Sequence, residues 1–384
     1  MTTAAPPDLM RVAVCAGDGA VRIEARPRPR PGRGELALRL RCAGLCGTDL
    51  WKLRHGGVPA GAVLGHEVVG TVEAVGEGAV GFAVGDRVAV PHHVACGDCD
   101  RCRQGSETMC PAFGENLLAP GGFSEALVVG ERAVRRAAFG LPPRLADESA
   151  VFLEPAACVL RGIWRAQVAA ADPQARGGGP APARGVAVLG AGSMGLLHLL
   201  LLKALRPALE VVIVEPLAWR RELARRLGAD AAASPGDEAR RAVARLCAGR
   251  GVDAVFDTAG GAAALESALS LTRPGGTVVL FAHVGGGDEG GAEEGGSDPV
   301  RAGFDLNSFF KAEQRLIATY SGSLAEQREV YRLLVTGRLD PRPLVTHRLP
   351  LSRLGEAIEL ARGRKALKVL LVADAASGGG AKGE

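Results

Sequence analysis

The stretch Gly185–Gly195, Gly-Val-Ala-Val-Leu-Gly-Ala-Gly-Ser-Met-Gly, constrains this chain more than any other. Val186–Leu189 is a short apolar run, suited to a strand buried on both faces. Gly190, Gly192 and Gly195 follow at G-x-G-x-x-G spacing, and the apolar segment Leu196–Leu205 comes next. Gly190 permits a tight turn off the strand, Gly192 lets backbone approach a pyrophosphate, and Gly195 lets a helix pack close to the strand. Ser193 and Met194 fall at the N-terminus of that helix, where free N–H groups and the positive dipole end favour phosphate.

Glycine-rich turns are common, so the flanks decide how far this one can be read. A second apolar run, Val211–Val214, ends in Glu215, twenty residues after Gly195. A carboxylate there accepts the ribose hydroxyls of NAD and repels the extra phosphate of NADP, so NAD is the expected cofactor. The other reading of Glu215 is an exposed charge at a strand end. Arg220 lies over the adenosine side or is a solvated helix residue. From 185 onward, apolar runs at 186–189, 211–214, 252–256 and 277–281 alternate with helical patterns near 196–205, 217–227, 237–248 and 261–271. That alternation predicts a doubly wound parallel sheet.

The chain has 384 residues, enough for two domains with separate cores. Its net charge of +4 is spread without long basic runs and aromatics make up 4%, which argues against a nucleic-acid groove with stacking platforms. Met1–Met10 lacks a basic segment followed by an apolar one, and the apolar stretch around Leu196–Leu205 carries His198 and Lys203 and is too short to span a bilayer. The expected location is cytoplasmic, with no membrane partner.

Before residue 160 the chain reads as a small β-rich body. Arg11–Ile23 forms a hairpin around Gly17-Asp18-Gly19, Arg26–Gly34 is a proline-rich loop, and Glu35–Cys42 alternates as a strand. Further strands are expected at Val68–Val75, Asp86–Val90 and Gly121–Val129, and helix over Asp147–Val168. Cys42 belongs to strand packing. Gln174–Arg184 reads as a low-complexity linker, Gly285–Pro299 as an acidic, glycine-rich mobile loop, and 377–384 as a frayed tail. Leu316–Tyr320 is the last strand of the parallel sheet; a helix at 324–336 and a strand near 367–372 return to the first domain.

Nine cysteines, four of them within fifteen residues, argue for metal rather than a disulfide framework. Cys96-Gly-Asp-Cys99-Asp-Arg-Cys102 is followed, after seven residues, by Cys110-Pro111. Four thiols in one loop fit a closed tetrahedral zinc site. The rival is an iron–sulfur cluster, whose bacterial pattern has a last spacing of three residues instead of seven. His92 and His93 read as strand-end residues, since four sulfurs fill the site. A second set is more dispersed. Cys46 lies twenty residues before His66-Glu67, and a thiolate, an imidazole and a neighbouring carboxylate suit zinc. Alone, Cys46 also reads as a buried hydrophobe and His66 as a loop residue. Glu154, inside the apolar run Phe152–Ala157, is costly to bury unless paired or metal-bound; its other reading is a helix N-terminal charge ahead of Pro155.

With Gly44-Leu-Cys46-Gly-Thr48-Asp, Gly65-His66-Glu67, the four-cysteine loop and Gly-Ala-Gly-Ser-Met-Gly in this order, the chain resembles the zinc-containing medium-chain alcohol dehydrogenase family over about its whole length. Glu154-Pro155 is similar to its sorbitol and threonine dehydrogenase branch, and Leu280-Phe-Ala-His283 and the ending Thr346-His-Arg-Leu-Pro-Leu351 with Ala366-Leu-Lys-Val369 are similar to sugar-alcohol and aminocyclitol dehydrogenases of that branch. The resemblance implies an α/β protein: a GroES-like, β-rich catalytic domain over 1–158, a Rossmann domain over 159–321, and a C-terminal segment, 322–384, returning to the catalytic domain. It implies two zinc ions per chain, NAD, a small alcohol or ketone substrate bound in the interdomain cleft, and a homodimer or homotetramer. Cys46 and His66 would hold the catalytic zinc with Glu67 and Glu154 as its carboxylates, either of which ligates directly, and Cys96, Cys99, Cys102 and Cys110 the structural zinc. Thr48 would accept the alcohol proton, unless its hydroxyl only caps a helix, and the nicotinamide would lie near Ala282 and His283. Relatives often carry a relay histidine five residues after the zinc cysteine; here Trp51 stands there and the nearest histidine is His55. A secondary alcohol is the implied substrate: polyol, sugar, aminocyclitol or threonine-like. Two other readings are a zinc-free quinone or enoyl reductase of the same superfamily, and a non-enzymatic NAD-binding sensor with structural zinc.

Overall fold

The computed structural model describes residues 8–55, 58–168, 183–282 and 303–374. His283, loop 285–299, the tail 377–384 and most of the stretch 174–184 lie outside the described residues. The chain forms two compact units. One takes the chain up to Leu153 and again from Val345; the other is Glu154–Leu344.

The first unit is built on strand Leu36–Gly44. Leu36, Leu38 and Leu40 are buried while Arg39 and Arg41 point to solvent, the alternation of a sheet with one covered face. It pairs antiparallel with Glu67–Val75, with Ala126–Val129 and with the C-terminal strand Lys368–Val372. Arg87–Val90 extends the sheet beyond Glu67–Val75, and Val345–Pro350 runs parallel to Lys368–Val372. The expected N-terminal hairpin is formed by Leu9–Cys15 and Val21–Pro27, with Gly17 and Gly19 at φ +94° and +83° in its turn.

The second unit carries a parallel sheet in the order Ala231–Ala233, Glu210–Val214, Gly185–Leu189, Val252–Asp257, Thr272–Leu280, Arg315–Ala318. By position in the chain this is the order 3-2-1-4-5-6. The order reverses between Gly185–Leu189 and Val252–Asp257, and the carboxyl ends at that switch are where such sheets bind ligands. Helix Ser193–Leu205 is apolar all round, with seven residues buried from Gly195 to Leu202.

Several boundaries differ from expectation, each for a local reason. The single helix expected over 147–168 is two, Asp147–Ala150 and Leu153–Arg165. Pro155 has no N–H for the carbonyl of Val151 and its ring would strike it, so one helix cannot run through both. The strand expected from Gly121 starts at Ala126. Gly121, at φ +153°, presses so close to Val63 that an added Cβ would sit 2.4 Å from its carbonyl oxygen. The C-terminal return, expected at 322, begins at Val345, because helix Leu324–Val335 belongs to the 154–344 unit. Strand Ala231–Ala233 and helices Leu306–Lys311 and Leu354–Arg362 were not expected at all; three alanines carry no strand signal. No described helix is long and apolar enough to cross a membrane.

Candidate functional site

Strand register assembles the first candidate metal group. Gly44 and Glu67 are paired residues of neighbouring antiparallel strands. Cys46 lies just past the end of one strand and His66 just before the start of the other, so the pairing brings them together across twenty residues of chain. The ligand atoms of Cys46, His66 and Glu67 all lie within 4.8 Å of one another. His66 and Glu67 are buried and Cys46 is half-buried. Two glycines make room: Gly65 holds φ +88°, and a Cβ on Gly44 would fall 1.9 Å from Glu67 Oε2.

Asp49 supports this group from helix Gly47–His55. It is buried, accepts from the N–H groups of Cys46 (3.1 Å) and Gly65 (3.3 Å), and lies 3.4 Å from His66 Nδ1. Burial opposes its charge, but His66 and those N–H donors hold its carboxyl below the usual range. Burial likewise disfavours charge on His66, yet the Asp49 carboxylate and the Cys46 sulfur outweigh it and raise the imidazole well above its ordinary value. A carboxylate behind a ligating histidine fixes its ring and tautomer. Lys368 Nζ contacts both oxygens of Glu67 at 2.7 Å. Sequence reading missed Asp49 and Lys368 as site residues. The i+3 spacing of Asp49 from Cys46 was a usable signal; nothing local marks Lys368.

Thr48 is half-buried in the first turn of helix Gly47–His55, and the Trp51 ring lies 5.2 Å from that of His55. His92 and His93 are not in either metal group. They stack on one another at 3.6 Å, with His92 against His66 at 4.6 Å and His93 against Phe113 at 5.4 Å. Burial, then the positive charges of His66 and Lys52, push the His93 pKa down to about 4. Glu154 stands in the first turn of helix Leu153–Arg165, at the start of the other unit, where its Oε1 accepts from Cys158 Sγ at 3.4 Å. The Cys46–His66–Glu67 group does not include it. Cys42 is buried, with its thiol on the Asp147 carbonyl at 3.8 Å.

The four sulfurs of Cys96, Cys99, Cys102 and Cys110 form the second group. Sulfurs about 2.3 Å from a central zinc stand about 3.8 Å apart at the corners of a tetrahedron. Here Cys99–Cys102 and Cys96–Cys110 are 3.5 Å apart and Cys96–Cys102 3.9 Å. Backbone N–H groups of Cys96 and Gly97 point at the sulfurs of Cys110 (3.4 Å) and Cys102 (3.3 Å), as suits thiolates. All nine cysteines are free thiols.

The dinucleotide fingerprint lies at the switch point of the parallel sheet. Gly190 turns at φ +95°, and a Cβ on Gly195 would meet the Gly190 carbonyl at 2.0 Å. At Gly192 an added Cβ would meet nothing within 4 Å, leaving the backbone open to a ligand. The buried Ser193 hydroxyl, one residue on, has no hydrogen-bond partner among the described residues. The Met194 carbonyl accepts from His198 Nδ1 at 2.8 Å. Glu215 is not an exposed charge: it is 3% exposed, and its carboxylate accepts from the N–H groups of Ala191 (2.7 Å) and Leu217 (2.9 Å). One lone-pair direction on each oxygen is left over for a ribose. Arg220 is half-buried with its guanidinium over the Trp219 ring. Ala282 closes the end of the next strand, its N–H on the Asp257 carbonyl at 3.1 Å. Thr319, at the end of the edge strand, also buries a hydroxyl without a partner among the described residues; it was not singled out from sequence, where no motif marks it.

Comparison with known proteins agrees with both halves of this description. Residues 32–138 match the alcohol dehydrogenase GroES-like domain, and residues 193–336 the zinc-binding dehydrogenase domain. The chain is 32% identical to the L-threonine 3-dehydrogenase of Pyrococcus abyssi over 88% of its own length and 91% of that protein. It is 28% identical to the sorbitol dehydrogenase of Bacillus subtilis, over 92% and 94%. An alcohol dehydrogenase from Thermus sp. ATN1 has the same fold with a TM-score of 0.78 and 31% identity, covering 95% of this chain and all of that one. This chain belongs to the family of zinc-binding, GroES-like alcohol dehydrogenases.

Proposed function

We propose that the chain oxidises a secondary alcohol of the polyol, sugar, aminocyclitol or threonine type to the ketone, with NAD as acceptor. The observation that carries this is the convergence of Cys46, His66 and Glu67 within 4.8 Å, in a chain whose other unit has the dinucleotide fingerprint at its sheet switch point. Cys46 and His66 would hold the catalytic zinc, with Glu67 and Glu154 the carboxylates assigned to it; Cys96, Cys99, Cys102 and Cys110 would hold the structural zinc. The threonine and sorbitol dehydrogenases among its relatives support the substrate class. A dimer or tetramer is the expected assembly.

When bound, zinc acts as a Lewis acid that makes a hydroxyl proton easier to lose. NAD, when bound, takes up the hydride from the carbinol carbon. The chain supplies position and proton movement. Asp49 fixes the His66 ring, Thr48 accepts the substrate proton, and the exit beyond it differs from a histidine relay because Trp51 occupies that place. Ser193 and the open backbone at Gly192 would meet the pyrophosphate, and the buried Glu215 the ribose. That carboxylate disfavours a phosphate in the same position, which supports NAD over NADP. A zinc-free reductase and an NAD-binding sensor each leave the Cys46–His66–Glu67 group without a use.

The test is NADH formation by purified, zinc-loaded protein on a panel of polyols, cyclitols, aminocyclitols and L-threonine, with and without chelator. Turnover on one class, abolished by chelation and restored by zinc in a colourless protein holding two zinc ions per chain, is expected. No turnover on any class, with one zinc per chain and NADH still bound, would remove the catalytic reading.

A further inference from the structure

Thr48 and Lys52 stand four residues apart on one face of helix Gly47–His55. A long helical side chain leans toward the N-terminus of its helix, which takes that of Lys52 back along the Thr48 face toward Cys46. Lys52 is half-buried, and among the described residues it makes no hydrogen bond and no ion pair. The one carboxylate of its helix, Asp49, is buried and committed to Cys46, Gly65 and His66. The charge of Lys52 is felt instead at His92 and His93. Burial first, then His66, with Lys52 among the further charges, keeps both imidazoles neutral. Their rings lead to the metal group, His93 on His92 at 3.6 Å and His92 on His66 at 4.6 Å. His92 Nδ1 is buried with no hydrogen-bond partner among the described residues. Beside the Cys46–His66 group, then, stand a half-buried ammonium without a countercharge and a buried imidazole nitrogen without a partner.

We infer that Lys52 is a specificity-determining residue, whose ammonium binds the carboxylate of a hydroxy acid held at the Cys46–His66 group. For the oxidation of that alcohol the inference rests on the dehydrogenase reading given above, and it narrows the substrate class. Acids, threonine among them, are favoured over neutral polyols and sugars. Aminocyclitols are disfavoured, because their own ammonium would meet Lys52. One ammonium matches one negative charge. A phosphate monoester carries about −1.5 to −2 and would be left partly unmatched. The free His92 Nδ1 offers the same molecule a second polar contact.

The test compares pairs that share a skeleton and differ by the carboxylate: L-threonine with its methyl ester, 3-hydroxybutyrate with its methyl ester, and D-gluconate with sorbitol. Turnover with NAD gives kcat/KM for each. Titration calorimetry on the zinc- and NADH-loaded protein gives Kd without turnover, since NADH and an alcohol are both reduced and cannot react. In at least one pair the acid is expected to exceed its partner about tenfold in both measurements. Lys52→Met is expected to remove that ratio through KM and Kd rather than kcat, and Lys52→Arg to keep it. Lys52→Glu is expected to favour 4-amino-2-butanol over 3-hydroxybutyrate. Should Lys52→Met fold poorly, Lys52→Gln removes the same charge and gives the same comparison. A ratio that survives loss of the charge overturns the inference, as does a wild-type ratio of one or less in every pair; turnover in either case leaves the dehydrogenase reading intact. Preference for sorbitol 6-phosphate over D-gluconate overturns the carboxylate assignment. Lys52-dependent binding of an acid without turnover of any pair supports the role of Lys52 and removes the dehydrogenase reading. Neither binding nor turnover overturns both.

Discussion

Thr48 stands two residues past Cys46 in the first turn of its helix, and its assignment to proton transfer is the most exposed to test of any single residue. Thr48→Ala should retain both zinc ions and NAD binding and lose about a hundredfold in turnover. Turnover within a factor of two of wild type would leave the hydroxyl only a helix-end role. His198 makes a different kind of prediction. It is fully buried behind the fingerprint, with its ring against Phe256 and Phe281. Desolvation pushes its pKa down to about 4, partly countered by the Met194 carbonyl. An unfolded histidine titrates near 6.5. Between those values the unfolded chain binds a proton that the folded chain does not. Folding stability should therefore fall as pH drops from about 6.5 to about 4, by about 3 kcal/mol in all, and level off below. Urea midpoints across that range check it, and a His198→Leu protein should show a flatter profile.

Two elements depend on a few polar or metal contacts. The loop around Cys96–Cys110 has a core of only Ala95, Cys110 and Phe113, with the other cysteines packed against it. On the proposed reading of these four cysteines as a metal site, metal binding would supply much of the order that so small a core cannot. Chelation should open it, and trypsin should then cut at the exposed Arg101 and Arg103; equal resistance with and without chelator would show that the loop holds itself. In the other unit, helix Leu324–Val335 is tied down at its start. Glu326 accepts from the Ser323 N–H at 2.7 Å and lies 3.5 Å from Arg161 on helix Leu153–Arg165, both charged groups being largely buried. Glu326→Ala strips a cap and leaves Arg161 buried without its partner. A loss of about 3 kcal/mol in chemical denaturation is expected. This tie also accounts for the late C-terminal return: the helix is committed to the 154–344 unit, so the chain leaves only at Val345.

For the whole molecule the cofactor gives the most direct readout. A ligand at a hundred times its dissociation constant adds about 2.7 kcal/mol to the stability of what it binds. NADH should raise the melting temperature, and on the proposed role of the buried Glu215 carboxylate as the ribose partner NADPH at equal concentration should raise it less. An NADPH shift equal to or larger than that of NADH would reverse the assignment. Calorimetry is suited to this measurement because the chain has two compact units, and stabilisation confined to one of two transitions would locate the binding.

What the sequence determined by itself was everything written in local spacing. The parallel sheet was legible because strands buried on both faces read as unbroken apolar runs and the glycines between strand and helix are required by backbone geometry at Gly190 and Gly195. The convergence of the four cysteines was legible because they share one loop. The strand Ala231–Ala233 and the break at Val151–Phe152 were not, since the first lacks any side-chain signal and the second depends on one proline ring. Only the tertiary structure decided how Cys46 and His66 meet, because strand register sets it. It alone showed that Glu215 is buried and bonded to the fingerprint backbone, where sequence left a solvated charge open. And it alone placed Lys368 on Glu67, 301 residues apart in the chain. A buried ion pair of that kind is selected by the cost of leaving either charge alone in a dry interior, and that cost exists only once the strands have closed around it.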